Sequence, residues 1–189
     1  MPRSSDYPFG PAISARGLSV NALFAALLAV SAILSVPLPG LAVPITLQVI
    51  IVVLIALIVP PSWAAVSVGT YLIAGGVGLP VFARLHGGLA VLLGPTGGYL
   101  FGFLLGAVAG AWVRRRLAKR MAPLVADALA AASVIAFVYA IGWLQLMVVT
   151  GIGPVAAVLS GVAPFIVPDA LKAAGAVAVA PMVRKASRL

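Results

Sequence analysis

Six long apolar runs dominate the chain, and short segments rich in proline and glycine separate them. The runs cover roughly residues 18–36, 45–59, 63–79, 97–113, 124–147 and 164–183. A spanning helix needs about 20 mostly apolar residues, in a range of about 17–25. All six read as such helices, although the second is short unless its flanks join it. The breaks fall at Pro37-Leu38-Pro39-Gly40, Pro60-Pro61, Pro80, Gly94-Pro95, Pro123 and Gly151-Ile152-Gly153-Pro154. Proline lacks the amide proton and disfavours helix in the residue before it, so these are stops. A membrane barrel would show short alternating segments instead of continuous apolar runs. The pattern predicts an all-α integral membrane protein with six transmembrane helices. The segment between helices three and four is expected to fold back as a re-entrant or capping outer loop.

Composition narrows the function. Of 189 residues, 63% are hydrophobic and 8% charged, against about 25% charged in soluble domains. A fold of this size buries only about 70% of its surface, too little to hide so much apolar material from water. Soluble enzymes, nucleic-acid binders and disordered tails are excluded on that ground. The net charge of +9 comes from basic residues clustered between apolar runs, which is a membrane arrangement. Arg3 and Arg16 precede the first run, Arg114, Arg115, Arg116, Lys119 and Arg120 follow the fourth, and Arg184, Lys185 and Arg188 follow the sixth. With six spans these three segments share one side, which the positive-inside rule makes cytoplasmic. The opposite segments, 37–44, 80–96 and 148–163, carry one basic residue, Arg84. The first run exceeds the usual signal-peptide core and no small-residue cleavage pattern follows it, so it is kept as a helix. The expected organisation is a cytoplasmic tail at 1–17, a single six-helix membrane domain at 18–183 and a basic cytoplasmic C-terminus at 184–189.

Polar residues inside apolar runs mark chemistry, because an ionisable group at a membrane helix centre costs about 2.5–3.5 kcal/mol. The three acids are Asp6, Asp127 and Asp169. Asp6 lies in the tail. Asp127 stands near the basic loop, where it is expected to compensate Arg116, Lys119 or Arg120. Asp169 follows Pro168, and Lys172 stands three residues on, so the two share a helix face. They form either an ion pair within the bundle or the polar end of a ligand cavity, where a carboxylate accepts N–H bonds and an ammonium donates. Gln48 is either a helix-to-helix hydrogen bond or a cavity group. The loop at 80–99 has an apolar centre too short to span, bounded by glycine and proline. It reads as a cap or as a lid whose free amides near Gly97 and Gly98 attract an anion beside Arg84. His86 is read as a solvated loop residue. Ala22, Ala26 and Ala29 stand in a stripe of small residues on the first helix, suited to close approach by another helix or to packing within the bundle. Trp63, Trp112 and Trp143 fit interfacial belts or packing. With no cysteine and one histidine, no disulfide framework, thiol nucleophile or metal cluster is expected. No nucleophile–base set, phosphate-binding loop or cofactor motif is present.

Five stretches carry a resemblance, in order along residues 21–180: Ala22-Leu23-Phe24-Ala25-Ala26-Leu27, Val43-Pro44-Ile45-Thr46-Leu47-Gln48, Gly75-Gly76-Val77-Gly78-Leu79-Pro80-Val81-Phe82-Ala83, Gly94-Pro95-Thr96-Gly97-Gly98-Tyr99-Leu100-Phe101-Gly102-Phe103 and Pro168-Asp169-Ala170-Leu171-Lys172. The chain resembles the BioY family, the biotin-binding S components of energy-coupling factor (ECF) transporters. It departs from the family pattern at Arg84, Leu85 and His86, where mostly glycine and small residues stand. The resemblance implies high-affinity capture of biotin on the outer face of the bacterial cytoplasmic membrane by a multi-pass subunit with both termini cytoplasmic. It implies as partners a transmembrane coupling subunit and two cytoplasmic ATPases, approached through Ala22, Ala26 and Ala29, with membrane lipid around the chain and no nucleic acid. The implied biotin contacts are Asp169, Lys172, Tyr99, Thr96, Gly97, Gly98, Arg84 and Gln48. An S component for another vitamin, a solitary biotin transporter, a homo-oligomer and a proton channel using Asp169 stay open.

Overall fold

The computed structural model describes residues 15–36 and 43–186, without the side chain of Arg16. Most of the expected tail, part of the segment 37–44 and residues 187–189 lie outside that range. The expected helices are present as α1 (Ala15–Ile33), α2 (Gln48–Ile58), α3 (Pro61–Gly76), α5 (Gly97–Leu117), α6 (Pro123–Thr150) and α8 (Ile166–Ala186). Two short helices, α4 (Leu89–Leu93) and α7 (Pro154–Gly161), occupy segments expected as loops. Single 3-10 turns stand at Ala83–Leu85 and Ala163–Phe165. Strand was not expected, yet β1 (Ser35–Val36) and β2 (Ile45–Thr46) pair antiparallel, Ser35 opposite Thr46 and Val36 opposite Ile45. Residues so short in extended form add a clasp at the head of α1 and α2, not a sheet.

α2 has 11 residues and, at 1.5 Å per residue, is only about 16 Å long. Its shortness has a physical reason. Val52, Val53 and Ile55 are fully buried and Ala56 and Leu57 nearly so, because α5, α6, α8 and α1 pack around the helix. A helix apolar on every side is one surrounded by protein, so it meets little lipid. By contrast, α5, α6 and the continuous stretch Pro154–Ala186 are each long and apolar enough to cross a membrane.

α5 and α6 make the most extensive helix pair. Gly98, Gly102, Gly106 and Gly110 recur every fourth residue along α5 and face α6. A Cβ there would lie 2.5 Å from the Ile141 carbonyl oxygen, 2.7 Å from Val138 Cα, 2.9 Å from the Val134 carbonyl oxygen and 2.6 Å from Val134 Cγ2, respectively. Small residues thus let the two backbones nearly touch, which is how membrane helices gain packing without a hydrophobic drive between them. Large apolar side chains such as Leu23, Ile73, Leu105, Val148 and Leu171 point outward, exposed. So large an apolar exterior suits lipid, not water.

Asp127 is buried at one end of the bundle. It accepts from Arg114 Nε at 3.0 Å and from Arg184 at 2.6 and 3.3 Å, and Arg184 also donates to the Leu57 carbonyl at 3.2 Å. The expected partners Arg116, Lys119 and Arg120 do not make this contact. Arg114 lies on the inward face of α5, whereas Lys119 and Arg120 lie on the turn and point out. The cluster ties α5, α6 and α8 to the end of α2.

Candidate functional site

At the other end of the bundle lies a cavity of about 420 Å³, within the range of small-molecule sites. The segment that caps it is pinned to the bundle at two places and closed on itself at a third. Phe82 is buried over Gly75, whose place could hold no side chain, since a Cβ would lie 2.1 Å from Phe82 Cζ. Phe82 and His86 form an antiparallel bridge. Gln145 of α6 donates to the carbonyls of Leu92 at 2.7 Å and Gly94 at 2.8 Å, holding α4 down. Between these anchors Arg84 and Leu85 adopt the left-handed region, φ 60° and 58°. Residues with a Cβ avoid that region, so the turn at the rim is strained.

The walls are mostly apolar: Val43 and Val49, Phe82 and Val91 from the cap, Leu100 and Phe103 of α5, Val138 of α6, and Phe165. One connected polar cluster stands in these walls. Asp169 Oδ1 accepts from Lys172 Nζ at 2.8 Å, and Asp169 Oδ2 accepts from the Tyr139 hydroxyl at 2.9 Å. Asp169 and Lys172 are both largely shielded, with side-chain exposures of 7% and 13%. A carboxylate offers about four lone-pair positions, so two stay free for a ligand. α8 presents the pair because Asp169 sits in its first turn, where the helix dipole favours an anion.

Of the expected site residues, Asp169, Lys172, Tyr99, Thr96, Arg84 and Gln48 all line this cavity. The two readings of Gln48 are both met: it borders the cavity and donates to the Tyr71 hydroxyl at 2.8 Å. Tyr71 in turn stands edge-on to Phe82, ring centres 5.4 Å apart. Tyr99 spends its hydroxyl on the Gly161 carbonyl at 2.8 Å, so it offers the cavity its ring. Gly97 and Gly98 do not line the cavity. Both are buried, Gly97 against α4 and Gln145 and Gly98 against α6, and the Gly97 amide already donates to the Gly94 carbonyl at 3.1 Å. Both sit where a side chain would collide with a neighbour, and at Gly97 the expectation of a free amide is corrected. His86, read as a solvated loop residue, is exposed but reaches the cavity rim. Tyr139 was missed. Its signal was a hydroxyl in the middle of an apolar run, related to the rare amide at the start of a run that singled out Gln48. On α1, Ala22 and Ala26 are exposed and Ala29 half-buried.

Fold and site together define an all-helical, multi-pass membrane protein with a ligand-sized cavity at one end of the bundle. The sequence model of the BioY family matches residues 4–189; the chain belongs to the BioY family. It is 40% identical over 168 residues, 89% of its length and 96% of the other's, to "Probable biotin transporter BioY" of Pyrococcus horikoshii. To "Biotin transporter BioY" of Thermotoga maritima it is 48% identical over 87 residues, 46% of its length and 50% of the other's. The fold is similar, with a TM-score of 0.84 at 24% identity over 92% of this chain and 95% of the other, to a crystal structure described as the S-component for biotin from an ECF-type ABC transporter.

Proposed function

We propose that this chain captures biotin and delivers it for uptake, as the substrate-binding membrane subunit of an ECF-type importer. The observation that carries the reading is the Tyr139–Asp169–Lys172 cluster in the wall of a mostly apolar cavity. Biotin has the matching polarity: a ureido ring with two N–H donors and a carbonyl, an apolar sulfur ring and chain, and a carboxylate at the far end. Asp169 accepts the ureido N–H groups and Lys172 donates to its carbonyl. Tyr99, Phe103 and Phe165 enclose the rings and chain. Arg84 on the cap faces the carboxylate, with Thr96 and Gln48 along the wall. The names borne by the relatives support the same ligand.

In this reading the cavity opens outward and the basic end is cytoplasmic, by the charge asymmetry across the bacterial inner membrane. Residues 18–183 form the membrane domain, with 1–17 and 184–189 on the cytoplasmic side. The exposed Ala22 and Ala26, with Ala29 beside them, receive a transmembrane coupling subunit, which two cytoplasmic ATPases drive. Replacing Ala22 and Ala26 by leucine should abolish uptake in cells carrying those subunits while leaving biotin binding by the isolated chain intact. Loss of binding as well would place the stripe inside the ligand-holding fold instead.

The reading is tested by titrating ligand-free protein with biotin, desthiobiotin, biotin amide and unrelated vitamins. Saturable binding confined to the biotin series is expected; no response to biotin, or an equal response to another vitamin, would overturn it. Arg84→Ala should weaken biotin and leave the neutral amide nearly unchanged. Because Arg84 is exposed, the difference should stay near or below about 1 kcal/mol, the value of a solvated pair. An equal loss for acid and amide would mean that Arg84 acts through the strained turn alone.

A further inference from the structure

The end of the bundle opposite the cavity has more positive charge than its own acid neutralises. Its described cations are Arg114, Arg115, Arg116, Lys119, Arg120, Arg184 and Lys185, and its one described acid, Asp127, is taken by Arg114 and Arg184. Arg115, Arg116, Lys119 and Arg120 are exposed and have no acidic partner among the described residues. They are not on a floppy loop. The turn from α5 to α6 is closed by backbone hydrogen bonds from Ala118 to Arg114, and from Arg120 and Met121 to Leu117, at 2.8–2.9 Å.

Apolar surface lies directly against these charges. Trp112, one helical turn before Arg116, is 53% exposed, and the Arg116 guanidinium lies over its ring at 4.8 Å. Met121 and Leu124, immediately beyond the turn, are 45% and 68% exposed. A cationic rim over an outward apolar collar matches a phospholipid: phosphate at the rim, glycerol and acyl chain against the ring. Tryptophan favours that depth, and clustered Lys/Arg beside a membrane helix draw anionic headgroups. A free phosphate would use the cations and leave Trp112 and Leu124 without a role. An acidic protein surface would do likewise.

We propose that Arg115, Arg116, Lys119, Arg120 and Trp112 form a binding site for an anionic glycerophospholipid, which anchors the α5–α6 turn at the membrane surface. The full chain, purified in mild detergent, is incubated with phosphatidylglycerol or phosphatidylcholine, and retained lipid is counted by native mass spectrometry. The wild-type chain should retain phosphatidylglycerol in preference to phosphatidylcholine. Each neutralised cation should lower that retention about fivefold, so R115Q/R116Q/K119Q/R120Q should lose the preference. R115K/R116K/R120K, which keeps the charge, should retain it, and so controls for folding. W112L should lower retention of both lipids and leave the preference. Unchanged preference in the neutralised variant would overturn the site. So would displacement of phosphatidylglycerol by millimolar inorganic phosphate, which would identify a free-phosphate site. Full lipid retention combined with lost association with ATPase-bearing subunits would overturn it in favour of a protein-docking surface.

Discussion

Asp169→Asn should weaken biotin binding by about 1.5–3 kcal/mol, roughly 10- to 150-fold in Kd. The substitution keeps size and shape and removes the charge. It affects three groups at once. The ureido N–H donors meet a neutral amide with one acceptor oxygen where a carboxylate offered two. Lys172, now 2.8 Å from its counter-charge, is left shielded and unpaired, and the Tyr139 hydroxyl loses a charged acceptor. Lys172→Ala should cost a similar amount by a different route, since it removes the donor to the ureido carbonyl. The two losses should not add: in the double variant the mutual pair is gone, so the combined effect falls short of the sum. Calorimetry on monodisperse protein measures all three. Unchanged affinity in both single variants would leave Asp169 and Lys172 as a pair that holds α8 together and would remove them from the ligand site.

The helices were legible in the sequence because lipid demands long apolar runs and proline ends them. Their limits at Pro61, Gly97 and Pro123 follow from single residues. The parts that were not legible depend on contacts between distant segments. Nothing local says that 45–59 is short because other helices surround it. Nor does the spacing around Asp127 favour Arg114 and Arg184 over the nearer Arg116, as that choice is made by which faces of α5 and α8 turn inward. Asp169 and Lys172 were legible because an i,i+3 pair meets on one helix whatever surrounds it. Tyr139 was not, since its partner lies 30 residues away on another helix. The glycines of α5 show a further limit. The spacing of Gly98, Gly102, Gly106 and Gly110 was not read as a packing face, and Gly97 and Gly98 were read as anion-binding amides because they open a helix. The approach of α6 to within a side chain's width of Gly98 decides for packing.

The second large effect is expected at Asp127, with stability as the readout. Asp127 has 2% side-chain exposure, and its partners Arg114 and Arg184 have 24% and 17%. Removing one member of a shielded ion cluster leaves the others charged and unpaired, which typically costs about 3–5 kcal/mol. Both arginines are partly exposed and can bend toward the headgroups, so Asp127→Ala should cost near the lower figure, about 3 kcal/mol. For a chain of this size that corresponds to a fall of about 6–12 °C in the midpoint of thermal unfolding. Arg114→Gln should cost less, because Arg184 continues to pair with both Asp127 oxygens and with the Leu57 carbonyl. Asp127 and Tyr139 are 12 residues apart on α6, about 18 Å along the helix. The biotin affinity of protein that is still folded should therefore stay close to wild type. Thermal scans in detergent without ligand, followed by titration well below the midpoint, separate the two effects. An unchanged midpoint for Asp127→Ala would show that lipid headgroups or water satisfy the arginines as well as Asp127 does. A normal midpoint with weakened biotin binding would show that the ends of α5, α6 and α8 around Asp127 set the geometry of the cavity at the opposite end of the bundle.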